Sequence, residues 1–167
     1  ALATIDGQQG GGGTELLSAL KRALSLPGTE GFSRTFIVVT DGYVSVEAES
    51  FDLIRNNLGR ANLFAFGIGS SVNRHIIEGM AHMGMGEPFV ITSPEKAPET
   101  AEKFRHLISY PALTGIRVDY GRFDAYDVEP VSIPDLFADR PIIIYGKWRG
   151  RAQGRIEVTG TTGSSRY

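Results

Sequence analysis

Two residues in this sequence could hold a hard cation: Thr14, at the end of "GGGGT", and Asp41, in "FIVVTDG". A hydroxyl and a carboxylate held by loops suit Mg²⁺, which takes oxygen ligands and retains several waters. Asp41 directly follows an apolar run, so it falls at the carboxyl edge of a buried strand, where open α/β sheets bind ligands. On residue types alone the plainer reading is preferred. In it Thr14 caps a helix and Asp41 shapes a turn. The glycines do not form a phosphate loop: Thr14 follows glycine with no Lys, as a Walker loop would require. A dinucleotide fingerprint needs a preceding strand, and "ALATIDGQQ" reads as a helix remnant and a loop.

Two further clusters carry reactive side chains. His75, Glu78 and His82 fall at i, i+3 and i+7, on one face of a helix. Because Ile76, Ile77 and Met80 must face the core, that stripe reads as a solvated surface rather than a zinc site. Around Trp148, "YGKWRGRAQGR" interleaves an aromatic with basic groups, a pattern that can contact nucleic acid or sugar. Asp119, Asp124, Asp127, Glu129, Asp135 and Asp139 offset that charge, and the segment reads as the exposed face of a strand. No pairing of a nucleophile with a base can be argued from three scattered histidines.

The elements that must position these groups follow from periodicity. Leu16, Leu17, Leu20, Ala23 and Leu24 recur at helical spacing until Pro27-Gly28, with Thr14 as the expected N-cap. Phe36 to Val39 form a continuous apolar run, as in a strand buried on both faces of a parallel sheet. Ser50 precedes a short helix with Phe51, Ile54 and Leu58 inward. "ANLFAFGIGS" and "EPFVIT" read as further strands, and "SVNRHIIEGMAHM" (71–83, with Val72, Ile76, Ile77, Met80 and Met83 inward) and Ala97–Ile108 as helices. Alternation of this kind predicts an α/β fold with a parallel sheet. After Ser109 no helix of normal length fits. Ile116, Val118 and Tyr120 form one face of a half-exposed strand, and "RPIIIYGKWRG" and "GRIEVTGTTG" add two strand-like runs. The reading is an α/β part over 1–109 and a β-rich segment over 110–167.

The 167 residues, with 41% hydrophobic and 22% charged, are ordinary for a globular chain. A net charge of −2 gives no nucleic-acid footprint, and no apolar run is long enough to insert into a membrane. The absence of cysteine excludes thiol chemistry and thiolate metal sites but leaves the compartment open.

Taken in order, "GGGGTELLSALKRAL", "RTFIVVTDG" and "ANLFAFGIGSSVNRHIIEGMAHMGMGEPFVI" resemble the second half of a von Willebrand factor A domain. The nearest likeness is to the inter-alpha-trypsin inhibitor heavy-chain family and its bacterial relatives, in which a VIT domain precedes the A domain. "PALTGIRVDYGRFDAYDVEPVSIPDLFADRPIIIYGKWRG" resembles the β-rich segment that follows it there. The resemblance implies a doubly wound, Rossmann-like sheet, truncated before its first strands. It also implies a metal-ion-dependent adhesion site (MIDAS), in which Thr14 and Asp41 match two ligands. The family's Asp-x-Ser-x-Ser loop does not occur in this sequence. The resemblance places it upstream in a longer parent, so the site here is incomplete and expected to be empty. It implies a non-enzymatic adhesion or ligand-binding module on an exported, cell-surface or periplasmic protein. The divalent cation of the parent would be completed by an acidic group of a protein partner. A metal-dependent hydrolase, or a structural module with a degenerate site, are the alternatives. If the first strands lie upstream, Thr35–Thr40 becomes a bare edge. The expectation is then a homodimer through that edge, dissociated by Val38→Lys.

Overall fold

The computed structural model describes residues 2–7, 15–29, 32–42, 47–109, 111–137, 141–163 and 165–166. A short helix α1 (Leu2–Asp6) precedes α2 (Leu16–Leu24), which buries Leu16, Leu20 and Leu24 along one stripe. Glu15, not Thr14, occupies the N-cap position of α2, and no side chain caps the helix there. The apolar stripe starts at Leu16 and sets the first turn, which corrects the expected cap. Thr14 itself lies outside the described residues.

Strand β1 (Thr35–Thr40) leads through Asp41 towards α3 (Glu47–Asn57). Ser50 does not precede this helix but lies inside it, fully buried. Glu47, Ala48 and Glu49 are good or adequate helix formers and extend the helix upstream of the expected start. Then follow β2 (Asn62–Ile68), α4 (Arg74–Met83), β3 (Pro88–Ile91) and α5 (Ala97–Ile108). Asn73 caps α4 by accepting a hydrogen bond from the Ile76 N–H at 3.4 Å.

The three strands form a parallel sheet in the order β1-β2-β3, with Thr35 opposite Asn62 and Ala65 opposite Pro88. Strand β2 is central and buried on both faces, its side chains dividing with period two. Leu63 and Ala65 join a core with Leu16, Leu20 and Leu24 of α2, Ile54 of α3, and Ile76, Ile77 and Met80 of α4. Phe64 and Phe66 join Phe89, Ile91, Phe104 and Leu107 on the opposite face, beneath α5. The fold is therefore α/β, with helices on both sheet faces.

Strand β1 departs from the sequence expectation. Phe36 and Val38 pack against the first core, but Ile37 is 52% exposed and Val39 58%. The aromatic core under α5 draws on β2 and β3 and not on β1, so among the described residues the outer half of that face has no cover. The run "FIVV" is apolar throughout, yet only alternate residues are covered.

Close packing at the amino edge of the sheet depends on glycine. A Cβ on Gly86 would overlap the Leu63 carbonyl oxygen, a backbone atom that cannot swing aside. Gly86→Ala is expected to cost about 3 kcal/mol, at the upper end for overpacking a well-filled site. Urea unfolding of the two chains checks this, and a loss below about 1 kcal/mol would show that the backbone yields there.

Beyond α5 the described residues hold only strands: β4 (Pro111–Asp119), β5 (Asp124–Glu129), β6 (Leu136–Phe137), β7 (Tyr145–Arg149), β8 (Glu157–Thr162) and β9 (Ser165–Arg166). They pair antiparallel as β6-β4-β8-β9 and as β5-β7. The strand expected across "RPIIIYGKWRG" starts only at Tyr145, beyond Pro141 and the isoleucines. These strands are anchored to the α/β part. The Phe137 ring meets Phe64 edge-on at 6.3 Å. Buried Asp135 accepts the Gly115 N–H at 3.0 Å, and its own N–H donates to the Arg60 carbonyl at 3.3 Å. Arg55 of α3 pairs with Glu129 of β5.

Candidate functional site

In a parallel sheet all strands end on one side, and here that side gathers Asp41 after β1, Gly69 to Ser71 after β2, and Thr92 after β3. Asp41 is exposed. The turn that carries it is fixed locally: the Gly42 N–H donates to the Thr40 Oγ1 at 3.2 Å, and Thr40 is buried. The next loop is tied across the sheet, the Gly69 N–H donating to the Ile91 carbonyl at 2.8 Å. Asp41 thus sits at a fixed point on the rim with its carboxylate open to solvent.

Of the two cation-ligating residues read from the sequence, the structure places this one. Thr14 and the glycines Gly10 to Gly13 lie outside the described residues, so their distance to Asp41 is not defined. Among the described residues no group of three or more acidic or histidine side chains converges on a point that could hold a metal. A single carboxylate does not fill the coordination shell of an ion that takes six oxygens, so the described residues alone do not fit such a site.

The other clusters resolve as surface. His75, Glu78 and His82 line the exposed side of α4, with the His75 ring edge-on to Phe51 at 6.0 Å. Every residue of β7 is exposed. Lys147 pairs with Asp127 at 2.9 Å, and the Arg149 guanidinium lies 4.4 Å from the centre of the Tyr126 ring. The cationic groups at Trp148 thus have acidic and aromatic neighbours on their own two-stranded sheet.

At the opposite edge lies a feature that sequence reading missed. A cleft of about 510 Å³ opens between the ends of α3 and α4 and the β5–β7 region, lined by Leu58, Met83, Met85, Pro130, Ile143 and Tyr145. The only local signal was "MGMG" at 83–86, a helix stop in which Met85 stands between two glycines. No helix among the described residues is long and apolar enough to cross a membrane.

An open parallel sheet with helices on both faces and a carboxylate at the strand ends defines the doubly wound α/β class. Within that class the chain belongs to the von Willebrand factor type A domain family, whose model matches residues 1–88, just over half of the 167. It is 29% identical over 134 residues to a von Willebrand factor A domain-containing protein of Dictyostelium discoideum, covering 80% of this chain and 14% of that protein. It is 28% identical over 137 residues to human von Willebrand factor A domain-containing protein 5B1, covering 81% and 11%. Mouse protein mono-ADP-ribosyltransferase PARP4 is 26% identical over 141 residues, 81% of this chain and 7% of that enzyme. The chain therefore spans a small fraction of each relative's length. A second Dictyostelium relative matches over 159 residues, 92% of the chain, so the similarity runs on well past residue 88 into the strands.

Proposed function

We propose that this chain is a non-enzymatic interaction module, part of a larger adhesion or ligand-binding protein. Its Asp41 contributes to a divalent-cation site completed by residues outside this sequence. The observation that carries the reading is Asp41 itself: exposed, held by a fixed turn, and placed at the carboxyl edge of a parallel sheet in an A-domain chain. Thr14 is assigned as the second protein ligand, the cation as Mg²⁺ or a similar divalent ion, and the partner as a protein offering an acidic group. We further assign the parent to the VIT-containing, inter-alpha-trypsin inhibitor heavy-chain-like group on an exported or cell-surface protein. The same reading makes 1–109 a partial A domain and 110–167 a β-rich companion, and pairs two copies of this chain through the β1 edge.

Titration calorimetry of the 167-residue chain with Mn²⁺ is expected to show no binding tighter than millimolar, because Thr14 and Asp41 under-coordinate the ion. A micromolar site in this chain would overturn the assignment of missing ligands.

A further inference from the structure

The cleft lies at the amino edge of the sheet, the end of the strands opposite Asp41, and Asp41 does not line it. From its chemistry we infer that it is a binding site for a small amphipathic carboxylate: an apolar chain or ring bearing one acidic head.

Three observations support this. The first is size and lining. About 510 Å³ falls within the range of small-molecule sites, and Leu58, Met83, Met85, Pro130, Ile143 and Tyr145 make the walls mainly apolar. Helix ends form one wall, and strand and loop residues from the β-rich segment form the other. The two walls come from segments more than forty residues apart in sequence, 55–86 and 129–145.

The second is the conformation of Met85. Helix α4 ends in a tight cap, in which the Met85 N–H donates to the His82 carbonyl at 3.2 Å and the Gly86 N–H to the Ala81 carbonyl at 2.9 Å. In such a cap the residue after the C-cap takes a left-handed conformation and is ordinarily glycine. Here it is Met85, with φ at +52°. Glycines stand on either side, at 84 and 86, where they pack against Leu63. A flexible thioether at a position that favours glycine weakens the cap. What it adds is an adaptable apolar surface in the cleft, the use methionine has in sites that accommodate varied ligands.

The third is polarity at the rim. The cleft's polar side chains include Arg55, His82, Ser132 and Tyr145, all of which can donate hydrogen bonds. Its one carboxylate, Glu129, is engaged by Arg55. Among the described residues the other N–H groups of the Arg55 guanidinium have no partner, and the Arg55–Glu129 pair is about half exposed. A solvent-exposed pair of this kind contributes little, so Arg55 can accept a second acid beside Glu129. The helix ends do not compete strongly for a cation. The carbonyls of Met80, Ala81 and His82 are taken by the cap, and Leu53 accepts the Asn57 side-chain amide at 2.8 Å. A rim rich in donors, with its acid already paired, selects an acceptor head group on an apolar body.

The test is calorimetric titration of the 167-residue chain with decanoate, decanol and decyltrimethylammonium, three ligands of equal chain length and different head. Decanoate is expected to bind one to one, about tenfold tighter than the cationic ligand, as one charge-assisted hydrogen bond to Arg55 would give. Arg55→Gln should bring decanoate down to the affinity of decanol. Met85→Gly, which suits the backbone, should raise the thermal midpoint while weakening decanoate. Equal binding of all three ligands would overturn the proposal, as would no saturable binding of decanoate or an Arg55→Gln chain that binds it unchanged. A dimer that Val131→Glu dissociates would assign the cleft to a second copy and overturn it too.

Discussion

Replacing Phe64 by alanine is expected to cost about 4 kcal/mol, within the range for emptying a buried aromatic site. Phe64 has no exposed surface and stands at the junction of three elements. Its ring meets Phe104 of α5 at 5.1 Å and Phe137 of β6 at 6.3 Å, both edge-on. Its place on the central strand leaves little room for neighbours to collapse into the void, because β2 is hydrogen-bonded on both sides. Since native chains are stable by about 5–15 kcal/mol, the loss removes between about a quarter and most of that margin. Phe64→Leu, which keeps most of the volume, should cost less than half as much. The structure adds a second readout. Phe137 reaches the α/β core through Phe64, so Phe64→Ala should also speed proteolysis in the connection around residue 110, before global unfolding. Chemical unfolding followed by tryptophan emission reports on Trp148, in the β-rich segment, while far-ultraviolet dichroism reports mainly on the helices. A cost below about 1.5 kcal/mol would mean that the two parts do not share this core.

The second large effect concerns the β1 edge. Among the described residues Thr35–Thr40 pairs only with β2, leaving its other side without a strand. Such an edge offers N–H and C=O groups to any extended chain, and here it has no proline and no charged residue to blunt it. Ile37 and Val39 add exposed apolar surface on the same strand. The simplest cover is a second copy paired antiparallel about a two-fold axis, which would join two three-stranded sheets into one. The chain is therefore expected to run as a dimer in light scattering at high micromolar concentration. Val38→Lys, suggested by the sequence, is the wrong probe, because Val38 packs against the core and a lysine there would damage the fold. Ile37→Lys places the charge on the exposed side and should yield monomer with an unchanged thermal midpoint. A wild-type chain that stays monomeric at high concentration contradicts the dimer.

How much of this was legible in the residues depends on whether local pattern or distant partners decide the outcome. The stripe Leu16, Leu20, Leu24 and the pair Ile76, Ile77 with Met80 fix which helix faces turn inward, and the structure buries them. The start of α4 was read too early, at Ser71 with Val72 inside the helix, whereas the Asn73 side chain caps it and the helix begins at Arg74. The two-sided burial read into "FIVV" failed because an apolar strand has no record of whether a helix covers its second face. Ser50 was misplaced because capping residues also occur inside helices when neighbouring propensity is strong enough. The cleft was beyond reach for another reason. Leu58, Met85 and Tyr145 are about thirty and sixty residues apart in sequence, and no periodicity connects them. Asp41 was legible as a rim residue from its place after an apolar strand, whereas Thr14, read as its companion ligand, lies outside the described residues.

The central claim is that Asp41 is a ligand to a divalent cation that this chain shares with residues beyond it. The most direct measurement is Mn²⁺ titration of the complete parent protein, by calorimetry, with and without Asp41→Ala. The account predicts a saturable one-to-one site in the parent and a loss of affinity of at least about hundredfold in the variant, with the thermal midpoint of the metal-free protein unchanged, since an exposed side chain on a fixed turn does little for stability. A parent that binds Mn²⁺ equally well with alanine at position 41, or that shows no site at all, contradicts it.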